Sequence, residues 1–371
     1  MKFGKINIRT DKKTVLIAPL DWGMGHATRC IPIIYELLQL NCEVIIAAEG
    51  RIKKLLQKEF PGQIFIHFRG YNISYSKSGL LLPLKLTLQI PKIIWRIYTE
   101  QQQLKLLVKE YKIDAVISDN RFGLYHSNIT SVYITHQLKI KTGNSITEWI
   151  LQKIHYFFIN KYTVCWVPDT NCDNNVAGEL SHPKQLPKTA VKYLGLLSRF
   201  NKIEVEKKYN ILAIISGPEP QRTIFEQLLM QELKTFSGSV ALVRGLPENA
   251  ENEGLAFDTE SKITIANHLS ADELNKTIQQ ADLVISRSGY TTIMDLIKLQ
   301  QKAILIPTPG QTEQKYLAEY LMKKNIFFRI LQKNFSLTKA LQKVADFSFT
   351  KVCIKQDEYK EVIKEFVQQL N

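Results

Sequence analysis

Three short stretches carry residue types that could do chemistry. Each falls where an apolar run gives way to a helical pattern. The first is Asp21-Trp22-Gly23-Met24-Gly25-His26. Glycines at such a turn let a backbone approach a ligand closely and expose helix N-terminal amides to an anion. They also suit an ordinary tight turn. His26 is placed where a general base could face a cleft. The second stretch is Ser286-Arg287-Ser288-Gly289-Tyr290-Thr291-Thr292. Its small and hydroxyl residues offer free amides and hydroxyls at a helix start, either as a cap or to an anion. Asp295 follows within about a turn, where a carboxylate can accept ribose hydroxyls or simply complement the helix dipole. The third is Pro307-Thr308-Pro309-Gly310-Gln311-Thr312-Glu313-Gln314. Its prolines and glycine define a rigid loop. That loop delivers Glu313 and Gln314 to another helix start, able to bond sugar hydroxyls, although Glu313 could serve as a cap alone.

The elements that must position these residues alternate. Strands are predicted over Thr14–Ala18, Cys42–Ala48, Ile64–Phe68, Ala115–Ser118, Ser131–Ile134 and Val164–Val167, with helices over Ala27–Leu40 and Arg51–Phe60. After the polar Lys207–Asn210 the pattern restarts. It gives strands over Ile211–Ile215, Val240–Val243, Ile263–Ala266, Leu283–Ser286 and Ala303–Pro307, and helices over Thr223–Leu233, Ala271–Gln280 and Thr291–Leu299. Short buried strands alternating with helices indicate parallel sheets covered on both faces. The fold class is therefore α/β: two Rossmann-like, doubly wound domains facing a cleft, over residues 1–199 and 200–350, with a seam near 197–208. Residues 351–371 form an amphipathic end helix that must bury a stripe of Tyr359, Val362, Ile363, Phe366, Val367 and Leu370, on its own domain or across on the first. Ligands in such sheets bind outside the carboxyl ends of strands. That places all three stretches at the cleft, with Asp119 at another strand end as an alternative base.

Composition narrows the function classes. Of 371 residues, 45% are hydrophobic and 23% charged, a globular balance that excludes disordered, collagenous and disulfide-framework proteins. Forty-nine Lys and Arg against 35 Asp and Glu give a net charge of +14, which favours acidic partners such as phosphate-bearing substrates, anionic lipid or nucleic acid. The charge is dispersed and no nucleic-acid motif occurs, so nucleic acid is not expected. Five scattered cysteines without C-x-x-C spacing fit a reducing cytosol. Neither a signal-peptide core nor a membrane-spanning run is present. Between Lys77 and Lys112, apolar residues and Trp95 interleave with basic ones; Leu80 to Tyr98 suits an anionic membrane interface, or else an ordinary buried helix pair. Gly23-x-Gly25 followed by Glu49 suggests a dinucleotide turn, but Thr28 stands where the third glycine belongs. No D-x-D pair indicates a metal.

In their order and separation, these motifs resemble the two-domain GT-B nucleotide-sugar glycosyltransferases. The likeness is nearest to the lipid-linked muropeptide N-acetylglucosaminyltransferases of peptidoglycan synthesis and their relatives. It is carried by Ile285 to Leu296, Ala303 to Pro307, Glu313-Gln314-x-Tyr316 and the Gly-x-Gly-His turn. The resemblance implies transfer of a sugar, N-acetylglucosamine or a related hexose, from a UDP carrier to a lipid-linked or glycan acceptor, inverting and metal-independent. It implies no cofactor beyond the donor substrate, and a cytoplasmic enzyme peripheral on the membrane. Gly25, Arg199, Ser288, Gly289, Thr291 and Thr292 would hold the donor diphosphate; His268, Leu269 and Asp295 the nucleoside; Glu313 and Gln314 the sugar. His26 would be the base, with His136 on the acceptor side and Asp119 as alternatives. Two features depart from the family. Ser216-Gly217-Pro218-Glu219-Pro220 replaces a second glycine-rich loop and lacks two amide donors, and Asp21-Trp22 replaces a small glycine pair. An epimerase of the same fold is the competing activity, and a nicotinamide-dependent oxidoreductase a more distant one.

Overall fold

The computed structural model describes residues 12–71, 89–246, 254–259, 263–353, 355 and 357–370. Among these, two seven-stranded sheets are formed. The first holds β1 (Thr14–Pro19), β2 (Glu43–Ala48), β3 (Ile64–His67), β4 (Ala115–Asp119), β5 (Thr130–Ile134), β6 (Val164–Val167) and β7 (Ala190–Tyr193), in the order β3-β2-β1-β4-β5-β6-β7. Every pairing is parallel. Val15 to Ala18 and Ala115 to Ile117 are wholly buried, as strands covered on both faces must be. The order turns back between β1 and β4, where Pro19 pairs with Asp119. That is the topological switch point, at which an open sheet leaves a crevice.

The second sheet holds β8 (Tyr209–Ile214), β9 (Val240–Val243), β10 (Ala256–Asp258), β11 (Ile263–Ala266), β12 (Ala281–Ser286), β13 (Ala303–Leu305) and β14 (Phe328–Arg329). Its order is β10-β11-β9-β8-β12-β13-β14. Only the edge pair β10–β11 is antiparallel among these. Its switch point lies between β8 and β12, where Ile214 pairs with Ser286.

Helices follow the strand ends. They are α1 (Met24–Gln39), α2 (Gly50–Glu59), α3 (Ile90–Tyr111), α4 (Ser145–Ile159), α5 (Gln221–Leu233), α6 (Ala271–Gln279), α7 (Tyr290–Lys298), α8 (Thr312–Lys323), α9 (Leu337–Ala345) and α10 (Glu358–Gln368). Helix α1 begins at Met24, three residues before the predicted Ala27. Glycine costs helix stability mainly by backbone entropy, and Gly23 takes the cap position, so Gly25 is tolerated in the first turn. His26 therefore sits on a helix rather than on a turn ahead of it.

One apolar core runs through both domains, joining Ile17, Ile33 and Trp166 to Leu212, Ile293 and Phe366. The end helix α10 belongs to it. Phe366 meets Trp166 edge-on at 5.1 Å, and Glu365 pairs with Lys192 at 3.1 Å, both partners lying in the first domain. The amphipathic stripe is buried across the seam, and the two domains are held in register by hydrophobic area rather than by the linker alone.

Candidate active site

Helix α1 leaves the first switch point and α7 leaves the second. Neither N-terminus has a side-chain cap: Gly23 and Gly289 occupy the cap positions and offer none. The first amides of each helix thus lack intrahelical partners and point positive charge outward. The two ends meet. Thr291 Oγ1 donates to the carbonyl of Gly25 at 3.2 Å, and a Cβ on Gly25 would come within 2.8 Å of that oxygen. Only glycine allows this approach. Gly23–His26 and Ser288–Gln314 therefore form the two facing walls that strand-end placement predicts.

Against this meeting point stands a buried polar cluster. Asp119, at the end of β4, is fully buried. His26, in the first turn of α1, places Nδ1 3.2 Å from Asp119 Oδ1, and its side chain is 18% exposed. Arg29, one turn further along α1, donates from Nε to Asp119 Oδ2 at 2.7 Å and from Nη2 to Asp119 Oδ1. Burial works against the Asp119 charge, but Arg29 and then His26 outweigh it and hold the carboxyl at about 2. Burial lowers the His26 pKa; Asp119 opposes this, while the Arg29 charge adds to it. His26 is therefore neutral near pH 7.

The cluster crosses the seam. His136, after β5, lies 2.7 Å from Glu313 Oε1 through Nε2 and 3.2 Å from Arg29 Nη1 through Nδ1. Its ring stacks on Tyr290 at 4.1 Å with planes 2° apart. Tyr290, the first residue of α7, donates to the carbonyl of Pro168 at 2.6 Å. Burial opposes the Glu313 charge, yet His136 and Arg29 hold its carboxyl below the ordinary range.

The remaining residues from the sequence motifs take other places. Ser288 is fully buried and donates to the carbonyl of Gln314 at 2.8 Å. Gln314 Oε1 in turn accepts the Thr308 amide at 2.9 Å. Both side chains brace the two loops at the carboxyl edge of the second sheet. Asp295, just past the first turn of α7, accepts from Ser198 Oγ at 2.6 Å. Burial raises its pKa to about 6 against the pull of Ser198 and Arg199. Arg199 lies beside Asp295, and burial lowers its pKa. Leu269 is buried and His268 makes its contacts after β11, at a further strand end of the second sheet. No group of three His, Cys, Asp or Glu side chains suited to a metal occurs among the described residues.

Arg29 and Tyr290 escaped the sequence reading. The spacing of His26 and Arg29, three apart on a helix, would have put them on one face, had the helix been started at Met24. Arg287 is a third. Wholly buried over the Phe225 ring at 3.9 Å, it donates to the carbonyls of Ile306, Pro307 and Gln221. It ties three loops together from below.

This geometry can be set beside known proteins. Residues 231–370 match the glycosyltransferase family 28 C-terminal domain. An uncharacterised glycosyltransferase of Methanopyrus kandleri is 20% identical over 338 residues, covering 85% of this chain and 93% of that protein. A UDP-N-acetylglucosamine–N-acetylmuramyl-(pentapeptide) pyrophosphoryl-undecaprenol N-acetylglucosamine transferase of Rickettsia canadensis is 24% identical over 365 residues, covering 92% of each. Among solved structures, the glycosyltransferase of kitacinnamycin superposes with a TM-score of 0.63 at 12% identity, covering 97% of this chain and 95% of that one. The paired switch points, the matched second domain and the end-to-end relatives make this chain a GT-B glycosyltransferase resembling the lipid-linked muropeptide N-acetylglucosaminyltransferases.

Proposed function

We propose that the protein transfers a sugar from a UDP carrier to an acceptor hydroxyl by direct displacement, with His26 as the base. The observation that carries this is the His26–Asp119 pair set beside two uncapped helix N-termini that meet at Gly25 and Thr291. The acceptor oxygen attacks the anomeric carbon, and the bond from that carbon to the diphosphate oxygen breaks. The acceptor proton passes to His26 Nε2 while Nδ1–H is held by Asp119. The departing diphosphate gathers negative charge, which we assign to the uncapped amides of α7 and α1 and to the Thr292 hydroxyl, the Thr291 hydroxyl being given to the Gly25 carbonyl. Of the alternative bases, Asp119 is wholly buried and forked to Arg29, and both ring nitrogens of His136 have protein partners. Glu313 and Asp295 are read as contacts to the donor sugar and the ribose, and Arg199 as a counter-charge near the nucleotide.

The acceptor is read as lipid-linked. The exposed face of α3 presents Ile90, Ile94, Trp95 and Tyr98, and that of α4 presents Ile146, Trp149, Ile154 and Phe157. Basic groups lie over these rings: Arg96 on Trp95 at 5.0 Å, Lys153 on Trp149 at 5.7 Å and Lys161 on Phe157 at 4.4 Å. Such a mixture suits an anionic bilayer surface. Ile93 of α3 and Phe158 of α4 pack on one small core with Leu20, Tyr71 and Ile97. Tyr71 also meets Trp22 edge-on at 6.4 Å, in the loop that leads to His26. The apolar face is thereby joined to the catalytic wall. The expected segment Leu80–Leu84 and Lys85 lies outside the described residues. No helix among the described residues is long and apolar enough to cross a membrane, and a peripheral placement is the reading that the two-helix face supports.

The test is a paired measurement. His26→Ala should lower transfer by roughly 10²–10⁴-fold, the range of general-base contributions, while UDP raises the melting temperature of variant and parent equally. Undiminished transfer by the variant removes His26 as base; no stabilisation of the parent by UDP removes the donor class.

A further inference from the structure

The buried guanidinium of Arg29 touches three other polar groups of the cleft. It forks onto both oxygens of Asp119, places Nη2 2.8 Å from His26 Nδ1, and places Nη1 3.2 Å from His136 Nδ1. A guanidinium can only donate, and an imidazole nitrogen can accept only when it carries no proton. For His136 the consequence is complete: Nδ1 accepts from Arg29, so the proton sits on Nε2 and is donated to Glu313 Oε1 at 2.7 Å. The ring is neutral, bonded at both ends, and pinned by Tyr290.

At His26 the same atom has two opposed neighbours. Asp119 Oδ1, at 3.2 Å from Nδ1, asks for a proton there, while Arg29 Nη2, at 2.8 Å, asks for a lone pair. The demands exclude one another. With Arg29 on Nδ1, the proton moves to Nε2 and the ring has no lone pair for an acceptor hydroxyl. With Arg29 drawn back onto Asp119 alone, Nδ1–H bonds Asp119 and Nε2 is free to act.

We propose that Arg29 is a positioning residue that sets the tautomers of both cleft histidines: it fixes His136 as the Nε2–H form bonded to Glu313 across the seam, and it withholds the base form of His26 until its Nη2 leaves Nδ1. This rests on the reading of His26 as base. The charged and titratable groups around the His26–Asp119 pair are Arg29 and Cys30 of α1, the latter on Asp119, with His136 after β5 and Glu313 of α8. Of these, Arg29 alone contacts Asp119 and both rings.

The experiment is nitrogen NMR of the full chain labelled at histidine, without ligand, together with the pH profile of transfer. In the parent, His26 and His136 should both show the Nε2–H tautomer. In Arg29→Gln the Asp119 charge is left to His26 and the Cys30 thiol. His26 should switch to Nδ1–H, and the acid limb of kcat/KM should move up by about one pH unit, as expected when a neighbouring cation is removed. Arg29→Lys keeps the charge but loses the fork, and should release His136 from the single Nε2–H tautomer while changing His26 less than Arg29→Gln does. A parent spectrum with His26 as Nδ1–H, or an acid limb unmoved in Arg29→Gln, overturns the proposal. Should neither variant fold, the parent spectrum decides by itself. Full transfer by His26→Ala would instead defeat the base reading and leave the tautomer assignment standing.

Discussion

Asp295 is a carboxylate held against its own preference, and this has a measurable consequence. Burial lifts its pKa from 3.8 to about 6, and neither Ser198 nor Arg199 reverses the shift. An acid whose folded pKa is raised binds protons more readily in the folded state than in the unfolded one. Its ionisation therefore destabilises the fold fully above pH 6, and that burden fades as pH falls through 6 toward 3.8. A rise of about two pH units corresponds to roughly 3 kcal/mol at pH 7.5, and to about 0.5 kcal/mol near pH 4. Asp295→Asn keeps an oxygen for the Ser198 hydroxyl and removes the charge. It should stabilise the protein by up to about 3 kcal/mol at pH 7.5 and by much less at pH 4.

If Asp295 is kept for the ribose, the same variant should bind UDP about one to two decades more weakly, since a hydrogen bond to a charged group is worth roughly 1.5–3 kcal/mol. Urea unfolding at the two pH values and calorimetric titration with UDP read both effects. A variant less stable than the parent at pH 7.5, or a gain that does not change with pH, refutes the burial argument. A more stable variant with undiminished UDP affinity leaves that argument intact and removes the ribose role.

Other outcomes follow from the same geometry. Asp119→Asn leaves Arg29 buried without its counter-charge and should cost about 3–5 kcal/mol; unchanged thermal stability would mean that the fork is not the main partner of Arg29. Gly25→Ala brings a methyl against Thr291 Oγ1 and should cost about 1–3 kcal/mol, with part of the loss recovered by Thr291→Ala; equal losses in the single and double variants would argue against contact of the two helix ends. Because burial and Arg29 lower the His26 pKa, the acid limb of kcat/KM should lie below pH 6.5, activity being lost only as pH falls through that lowered value. A limb above 6.5 would show Asp119 dominating. Trp95→Glu with Trp149→Glu should abolish co-sedimentation with anionic vesicles while leaving UDP binding unchanged; equal sedimentation of variant and parent would place the acceptor in solution.

The strands were legible because burial on both faces writes itself as runs such as Val-Leu-Ile-Ala and Leu-Val-Ile-Ser, bounded by polar turns. What escaped followed from weaker signals. Strand Phe328–Arg329 is two residues long, and antiparallel Ala256–Asp258 lies at an edge with Phe257 exposed. Helix α4 was missed for the opposite reason. Ile146, Trp149, Ile150, Ile154 and Phe157 crowd its outer face while only His155 and Ile159 are buried. A pattern that should mark the core thus marks the surface. Periodicity reveals an apolar face without saying what covers it.

The site was legible to the depth of one motif at a time. Gly25, His26, Thr291 and Glu313 each announce a helix start at a strand end, and the doubly wound order then forces the two sets toward one crevice. Their partners are another matter. Asp119 is 93 residues from His26, and His136 is 177 from Glu313; no local spacing encodes such pairs. Arg29 looked like one more cation in a chain of +14. It is one of the few cations withdrawn from solvent, being 2% exposed, where an unpaired charge would be costly and every donor must find an acceptor. The requirement works outward from there: a buried guanidinium needs Asp119, then needs lone pairs on two imidazoles, and the second imidazole needs Glu313 from the other domain. Satisfying one buried arginine is thus what links His26 in the first domain to Glu313 in the second.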